Sequence, residues 1–370
     1  MPQLDGLRAL AVVAVAVSHW TPEFLIGIMP WGTGVQLFFV LSGFLITGIL
    51  LRNRPGDLGI TMSAALKVFY TRRILRIFPL YYGVLGFSLL FGVGPIYSTW
   101  PWHVSYLSNI YYAWHGHPDA VTDPFLHLWS LSVEEQFYFL WPLIALVAPR
   151  RALLVILYSS IVGSVVFRMS ITQVLPAITT IRYLTPSCLD ALGIGALIAY
   201  VKHYKGSLGV RQIGRRFAWV GVLGLVLSTV ALPRLIGSEQ AHRVGHTFLV
   251  VVYGAVVAQA AEGFGSLPGW LLNLGPVRYL GKISYGIYVY HYFAPAAMAA
   301  FATRFGLEAA FQQQTIALPA YAAFTLVVAI LSWHLYELPI NRLKRHFEYP
   351  RATVPNPPLM PPVGSPVSRT

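Results

Sequence analysis

Long apolar runs, divided by short basic stretches, set the pattern of this chain. A helix crossing the hydrocarbon core of a bilayer needs roughly 20 mostly apolar residues. Ten segments approach that description: Gly6–Trp20, Gly34–Leu51, Phe78–Gly94, Glu135–Ala148, Ala152–Phe167, Ser187–Val201, Phe217–Ile236, Gly245–Ala261, Ser284–Phe301 and Ile316–Leu338. Arg150 and Arg151, beside Pro149, interrupt the apolar run between residues 145 and 157, which predicts two helices joined by a tight turn. Residues 51–77 form a basic, partly helical connection. Residues 94–133 carry no Lys or Arg, but they include His103, His115, His117, His127, Asp119 and Asp123. After Arg345 the chain is rich in Pro and poor in apolar residues, the composition of disorder. The pattern predicts an all-α, polytopic membrane bundle of about ten helices over residues 1–345, followed by a disordered tail over 346–370. There is no internal repeat.

Composition agrees with the pattern. Of 370 residues, 56% are apolar and 11% charged, against about 45–50% and about 25% in soluble domains. The polar residues needed to cover a soluble core of this size are missing. The formal charge of +13 would suit nucleic acid only if the basic residues shared one solvated face. Instead they lie between apolar runs, and the ten-helix reading puts 21 of the 26 on one side and 5 on the other. The positive-inside rule then predicts a cytoplasmic (inner) membrane protein with both termini in the cytoplasm. Cys188 stands alone and forms no intramolecular disulfide. The first apolar run starts at once, without a small-residue cleavage pattern, and reads as a mature span rather than a signal peptide.

Ionisable residues inside spans are costly and point to function. Arg8 and His19 are eleven residues apart, which leaves them about 20° apart in helical projection and about 16 Å apart along the axis. Asp5 falls on the same stripe, the pattern of a lined cavity; the plain alternative is an interfacial Arg8 with His19 as an end cap. In Arg72-Arg73-Ile74-Leu75-Arg76, Arg72 and Arg76 share a face. Guanidinium forks suit phosphate oxygens, although a basic anchor on acidic lipid headgroups has the same composition. Glu134 and Glu135 open the predicted fourth span, with Tyr138 on the face of Glu134. They read either as helix N-terminal charges or as a carboxylate serving a nearby imidazole. Ser284, Tyr288 and His291 share a further face, as substrate-facing residues or as ordinary interfacial packing. Asp190 and Glu337 are two more acids within apolar surroundings. His115-Gly116-His117 with His127 is a weak metal pattern, and no metal site is expected. There is neither a Gly-rich phosphate loop nor a nucleophile elbow.

Taken in order, these segments resemble the acyltransferase-3 family of membrane O-acyltransferases. The resemblance rests on Leu4-Asp5-Gly6-Leu7-Arg8-Ala9 through His19, on Gly34-Val35-Gln36-Leu37-Phe38-Phe39-Val40-Leu41-Ser42-Gly43-Phe44-Leu45-Ile46, and on residues 69–79 and 127–142. It continues through Leu189-Asp190-Ala191-Leu192-Gly193-Ile194-Gly195, residues 284–291 and residues 336–342, so it covers nearly the whole chain. The resemblance implies an acyl-CoA donor, acetyl-CoA above all, as co-substrate with no bound cofactor, and a carbohydrate or glycoconjugate hydroxyl as acceptor. It also implies that His19 is the essential histidine, Arg8 its companion, Glu134 the motif carboxylate, and Arg72, Arg73 and Arg76 the donor-binding arginines. Cys188 stands where relatives often carry a basic residue. The longer bacterial members add an esterase-like C-terminal domain that is not expected here, and with Met1 four residues before Asp5 almost no cytoplasmic lead-in is expected either.

The expected chemistry has acyl-CoA entering from the cytoplasm with its phosphates on Arg72, Arg73 and Arg76. His19 acts as general base, helped by Glu134, with Arg8 stabilising negative charge and Asp5 beside it. Direct transfer and an acyl-histidine relay both fit these residues. Ser284, Tyr288 and His291 are candidates for acceptor binding. The competing class is a carrier of acyl groups or polyprenol-linked sugars without chemistry; the lack of inverted repeats speaks against it.

Overall fold

The computed structural model describes residues 1–21, 31–55, 60–116 and 122–349, and those residues contain helices and turns but no strand. The expected tail beyond Tyr349, together with His117 and Asp119, lies outside the described residues. The first helices are α1 (Pro2–Trp20), α2 (Gly34–Arg52) and α3 (Met62–Phe91). Two short helices follow, α4 (Ile96–Val104) and α5 (Ser108–His115), then α6 (Trp129–Val147), α7 (Arg150–Val174), α8 (Thr185–Val230) and α9 (Ser238–Glu262). The C-terminal part holds α10 (Ser266–Asn273), α11 (Gly275–Lys282), α12 (Ser284–Tyr290), α13 (Ala294–Phe305), α14 (Gln314–Ser332) and α15 (Leu338–Arg342).

All ten apolar segments are helical. Six helices among the described residues are long and apolar enough to cross a membrane: α2, α3, α7, α8, α9 and the run that begins with α14. With the apolar composition, this makes the chain an integral membrane protein. The 46-residue α8 is not one straight rod: Gly206 leaves the helical region at φ 65°, a backbone conformation that costs glycine little.

Several boundaries differ from the sequence reading, and two of them place residues of the site. Helix α3 starts at Met62 rather than Phe78; the Thr61 side chain caps it by accepting from the Ala64 amide at 3.2 Å. The three arginines therefore ride on the same rigid helix as Phe78 and Tyr81. Helix α6 starts at Trp129 rather than Glu135. Glu134 thus sits inside the helix beyond its first turn, where the orphan amides of an N-terminus no longer reach, and the N-terminal reading of that carboxylate falls. The outer stretch expected as a loop carries α4, α5 and a 3₁₀ turn at Leu126–Leu128.

The most recognisable apolar motifs form a packing seam. Gly43 of α2 faces the Leu192 carbonyl, and Gly195 of α8 faces the Val40 carbonyl, so closely that a Cβ on either would collide with backbone. Small residues let membrane helices approach in this way, where van der Waals contact must replace the hydrophobic drive. Arg168 of α7 and Asp190 of α8 form a buried pair at 2.8 Å, both nearly inaccessible. Arg168 also donates to Ser164 and to the Ser187 carbonyl, and Thr247 of α9 donates to Asp190 at 2.9 Å. Among the five basic residues assigned to the outer side, Arg168 therefore serves as a bolt between helices rather than as a loop charge.

Breaking that pair leaves an uncompensated buried charge, at a cost of about 3–5 kcal/mol. Arg168→Leu is expected to lower the thermal unfolding midpoint of detergent-purified protein strongly, with Arg168→Leu/Asp190→Leu recovering part of the loss. A single variant as stable as the parent would show the pair to be dispensable.

Candidate active site

The bundle positions its polar side chains around two cavities. The larger, about 740 Å³, is lined from α1, α2, α3 and α8 and by the segment after α15. Its walls carry Arg8, Arg52, Arg72, Arg73, Arg76, Lys202 and Lys344, with Asp5 the one carboxylate among the lining residues. Arg8 pairs with Asp5 at 3.4 Å and Lys202 with Glu262 at 3.1 Å. The other cations of the cavity have no carboxylate partner among the described residues. Arg52, Lys202 and Lys344 were not singled out in the sequence, because each reads as an ordinary loop-end cation until the helices bring them together.

The second cavity is much smaller, about 90 Å³. Arg8, Arg73 and Arg76 line both spaces and form the boundary between them. The inner chamber is walled by apolar groups such as Phe38, Leu41 and Ile77, and by the hydroxyls and carboxylate of Ser42, Ser130, Glu134, Tyr138, Ser284 and Tyr288. Here Tyr138 donates to the Ser42 hydroxyl at 2.9 Å, and Ser42 donates to Glu134 Oε1 at 2.5 Å. The Arg73 guanidinium lies over the Tyr138 ring, 4.6 Å from its centre. Ser42 was missed as a functional residue, since a lone serine in an apolar run reads as packing; it directly precedes Gly43 on α2, so it points to a different side of the helix from the seam and reaches Glu134 of α6.

The candidate residues divide into three groups. Asp5, Arg8, Arg72, Arg73 and Arg76 meet at the large cavity, whereas Glu134, Ser284 and Tyr288 meet at the small one. Arg72 is partly engaged within the chain, donating from Nη1 to the Lys344 and Phe347 carbonyls at 3.0 and 2.8 Å. That leaves Arg73 and Arg76 as the motif arginines facing both spaces. His19 lines neither cavity and lies near the opposite end of α1, its Nδ1 2.9 Å from His291 Nε2. The polar stripe of α1 is thus split between two environments. The hydrogen bond given to Glu134 comes from a hydroxyl rather than an imidazole, and the ring beside His19 is His291.

His291 does not share the chamber face with Ser284 and Tyr288, because α12 ends at Tyr290 and a 3₁₀ turn (His291–Phe293) swings its ring toward α1. His127 completes a group of three imidazoles, its ring centre 5.1 Å from that of His291, with Nε2 donating to the Val289 carbonyl at 3.1 Å. Among the described residues, no three His, Cys, Asp or Glu side chains gather as a metal site.

A basic antechamber, a small polar chamber and an imidazole group inside a helical membrane bundle define the apparatus of a membrane-embedded group-transfer protein. The chain belongs to the acyltransferase-3 family: the family's acyltransferase domain matches residues 1–334. It is 28% identical over 323 residues to the peptidoglycan O-acetyltransferase OatA of Listeria monocytogenes, covering 79% of this chain and 49% of that protein. Over the same length it is 27% identical to the O-acetyltransferase OatA of Staphylococcus aureus, covering 50% of that protein. It is also 27% identical to the putative peptidoglycan O-acetyltransferase YrhL of Bacillus subtilis, over 92% of this chain and 55% of that protein. The chain therefore spans about half the length of these curated relatives. No solved structure matches it.

Removing the Ser42 hydroxyl takes the donor from Glu134 and the acceptor from Tyr138 together. A hydrogen bond to a charged group contributes about 1.5–3 kcal/mol. Ser42→Ala should accordingly lower acyl transfer by roughly ten- to a hundredfold in purified protein of unchanged melting behaviour. An unchanged rate would remove Ser42 from the site.

Proposed function

We propose that this chain moves an acetyl group from acetyl-CoA to a hydroxyl of a carbohydrate acceptor of the peptidoglycan type. The observation that carries the reading is the shared boundary of the two cavities. Arg8, Arg73 and Arg76 face a space whose walls suit phosphates on one side and a small chamber on the other. A nucleotide thioester combines those requirements: several phosphate charges at one end and a compact acyl group at the other. Arg73 and Arg76 would hold phosphate oxygens as charge-assisted donors. Arg8 would face the arm that joins the phosphates to the thioester. That arm would pass the Tyr138–Ser42–Glu134 relay in the small chamber and carry the thioester toward Tyr288, whose ring lies beside His291 and so on the side of His19. The names of the relatives support acetylation of peptidoglycan as the class of reaction, and transport without chemistry is not favoured.

The same reading places the large cavity on the cytoplasmic side, because Arg52, Lys202 and Lys344 belong to the face with most of the basic residues. Ten crossings fit if α8 crosses twice about Gly206, and if α1, α6 and the α12–α13 pair span alongside the other helices. Both termini then lie in the cytoplasm, and His19 lies toward the outer face. Donor and acceptor would meet from opposite sides of the membrane.

In this mechanism His19 takes the proton of the acceptor hydroxyl as its oxygen attacks the thioester carbonyl. The C–S bond breaks, and the CoA thiolate leaves with that proton. General-base catalysis contributes about 10²–10⁴-fold, so His19→Ala should reduce transfer from labelled acetyl-CoA by about that factor in normally expressed protein. Substantial remaining transfer would sink the assignment. In sealed vesicles, label offered as acetyl-CoA on the cytoplasmic face should appear on acceptor at the opposite face; product confined to the cytoplasmic face would rule out transfer across the membrane.

A further inference from the structure

A general base must present a lone pair, and imidazole has two nitrogens that can carry the proton. The hydrogen bonds around His291 decide between them. His291 Nδ1 lies 2.6 Å from the Tyr288 carbonyl oxygen. A carbonyl only accepts, so His291 Nδ1 carries a hydrogen, and in the neutral ring Nε2 is then the acceptor. His19 Nδ1 lies 2.9 Å from that Nε2 and must supply the hydrogen between them. We infer that His291 is a positioning residue which fixes His19 as its Nδ1–H tautomer, so that Nε2 of His19 is the basic nitrogen of the transfer reaction.

Several observations support this assignment. The two rings are stacked, 5.1 Å between centres and 23° between planes. His291 is fully buried, and Trp20, the residue after His19, donates from its indole to the His291 carbonyl at 3.0 Å. The end of α1 is thereby tied at two points to the turn that carries His291. Tyr292 meets the His19 ring edge-on at 4.8 Å between centres. His127 uses its own Nε2 on the Val289 carbonyl, so its hydrogen bond does not compete for His291 Nε2.

The chain Tyr288 carbonyl–His291–His19 performs the orienting task that a buried carboxylate performs in a Ser-His-Asp triad. It does so without adding a charge, which suits a site at membrane depth. During transfer the Nδ1–H···Nε2 bond persists while His19 Nε2 takes the hydroxyl proton and then returns it to the departing thiolate. His291 touches neither donor nor acceptor in this scheme.

The inference rests on the reading of His19 as the base, and the test separates the two. Full-length protein is purified in detergent, and thiol release from acetyl-CoA is followed with soluble peptidoglycan fragments as acceptor. His291→Phe removes the acceptor and should lower kcat by about ten- to a hundredfold, part of what a positioned base supplies, with KM for acetyl-CoA within about twofold of the parent. His291→Gln places an amide oxygen near the position of Nε2 and should restore most of kcat. A folded His291→Phe with the parent's kcat, or a folded His291→Gln as impaired as His291→Phe, would overturn the assignment. If His291→Phe does not fold, ¹⁵N spectroscopy of the parent's neutral His19 ring decides: a hydrogen on Nδ1 supports the inference and one on Nε2 overturns it. His19→Ala keeping full activity would defeat the reading of His19 as base and this inference with it. An inactive His19→Ala beside a fully active His291→Phe would defeat this inference alone.

Discussion

Guanidinium groups brought into an apolar bundle must be paired or face a polar space, because the cost of leaving them dry and unpaired exceeds what packing can offset. The architecture follows that constraint. Arg168 meets it by pairing with Asp190 and by donating to Ser164 and the Ser187 carbonyl, which ties α7 to α8. Arg8, Arg73 and Arg76 meet it differently. They converge from α1 and α3 on a cavity they share, where the 3.4 Å contact between Arg8 and Asp5 is their one carboxylate pair among the described residues. One requirement thus produces a structural bolt in one place and, in the function proposed above, a binding site in another.

The division of the polar residues into layers gives the site its direction. Cations gather around the larger space, hydroxyls and one carboxylate around the smaller, and imidazoles beyond the chamber at the far end of α1. A donor with a charged handle and a small reactive end matches that order. The Gly43 and Gly195 contacts hold α2 against α8, which fixes Ser42 on α2 and so helps set the geometry of the chamber.

Much of this was legible in the sequence, for physical reasons. Apolar runs near bilayer length are read directly, and all ten are helical. Arg72, Arg73 and Arg76 stand out because charge is scarce in the chain, and they do line the large cavity. Contacts made across sequence distance were not legible. Arg168 and Asp190 are 22 residues apart, and His19 and His291 are 272 apart. The 3₁₀ turn that rotates His291 away from Ser284 and Tyr288 leaves no signature in a helical periodicity. Glu134 looked like a helix-end residue because the apolar run of the predicted span begins only at the Glu134-Glu135 pair; the helix instead starts at Trp129, and Ser132 within it bonds Ser108 at 2.8 Å. The role of Arg72 on the Lys344 and Phe347 carbonyls depends on a backbone path that composition does not encode.

The central claim is that the basic cavity behind Arg8, Arg73 and Arg76 receives a CoA thioester. Calorimetric titration of the purified full-length protein with CoA tests it most directly. The account predicts saturable binding to the parent that weakens at least tenfold, equivalent to about 1.4 kcal/mol, in Arg73→Gln/Arg76→Gln, with the fold intact. Equal binding by parent and double variant, or no binding by the parent, would contradict it.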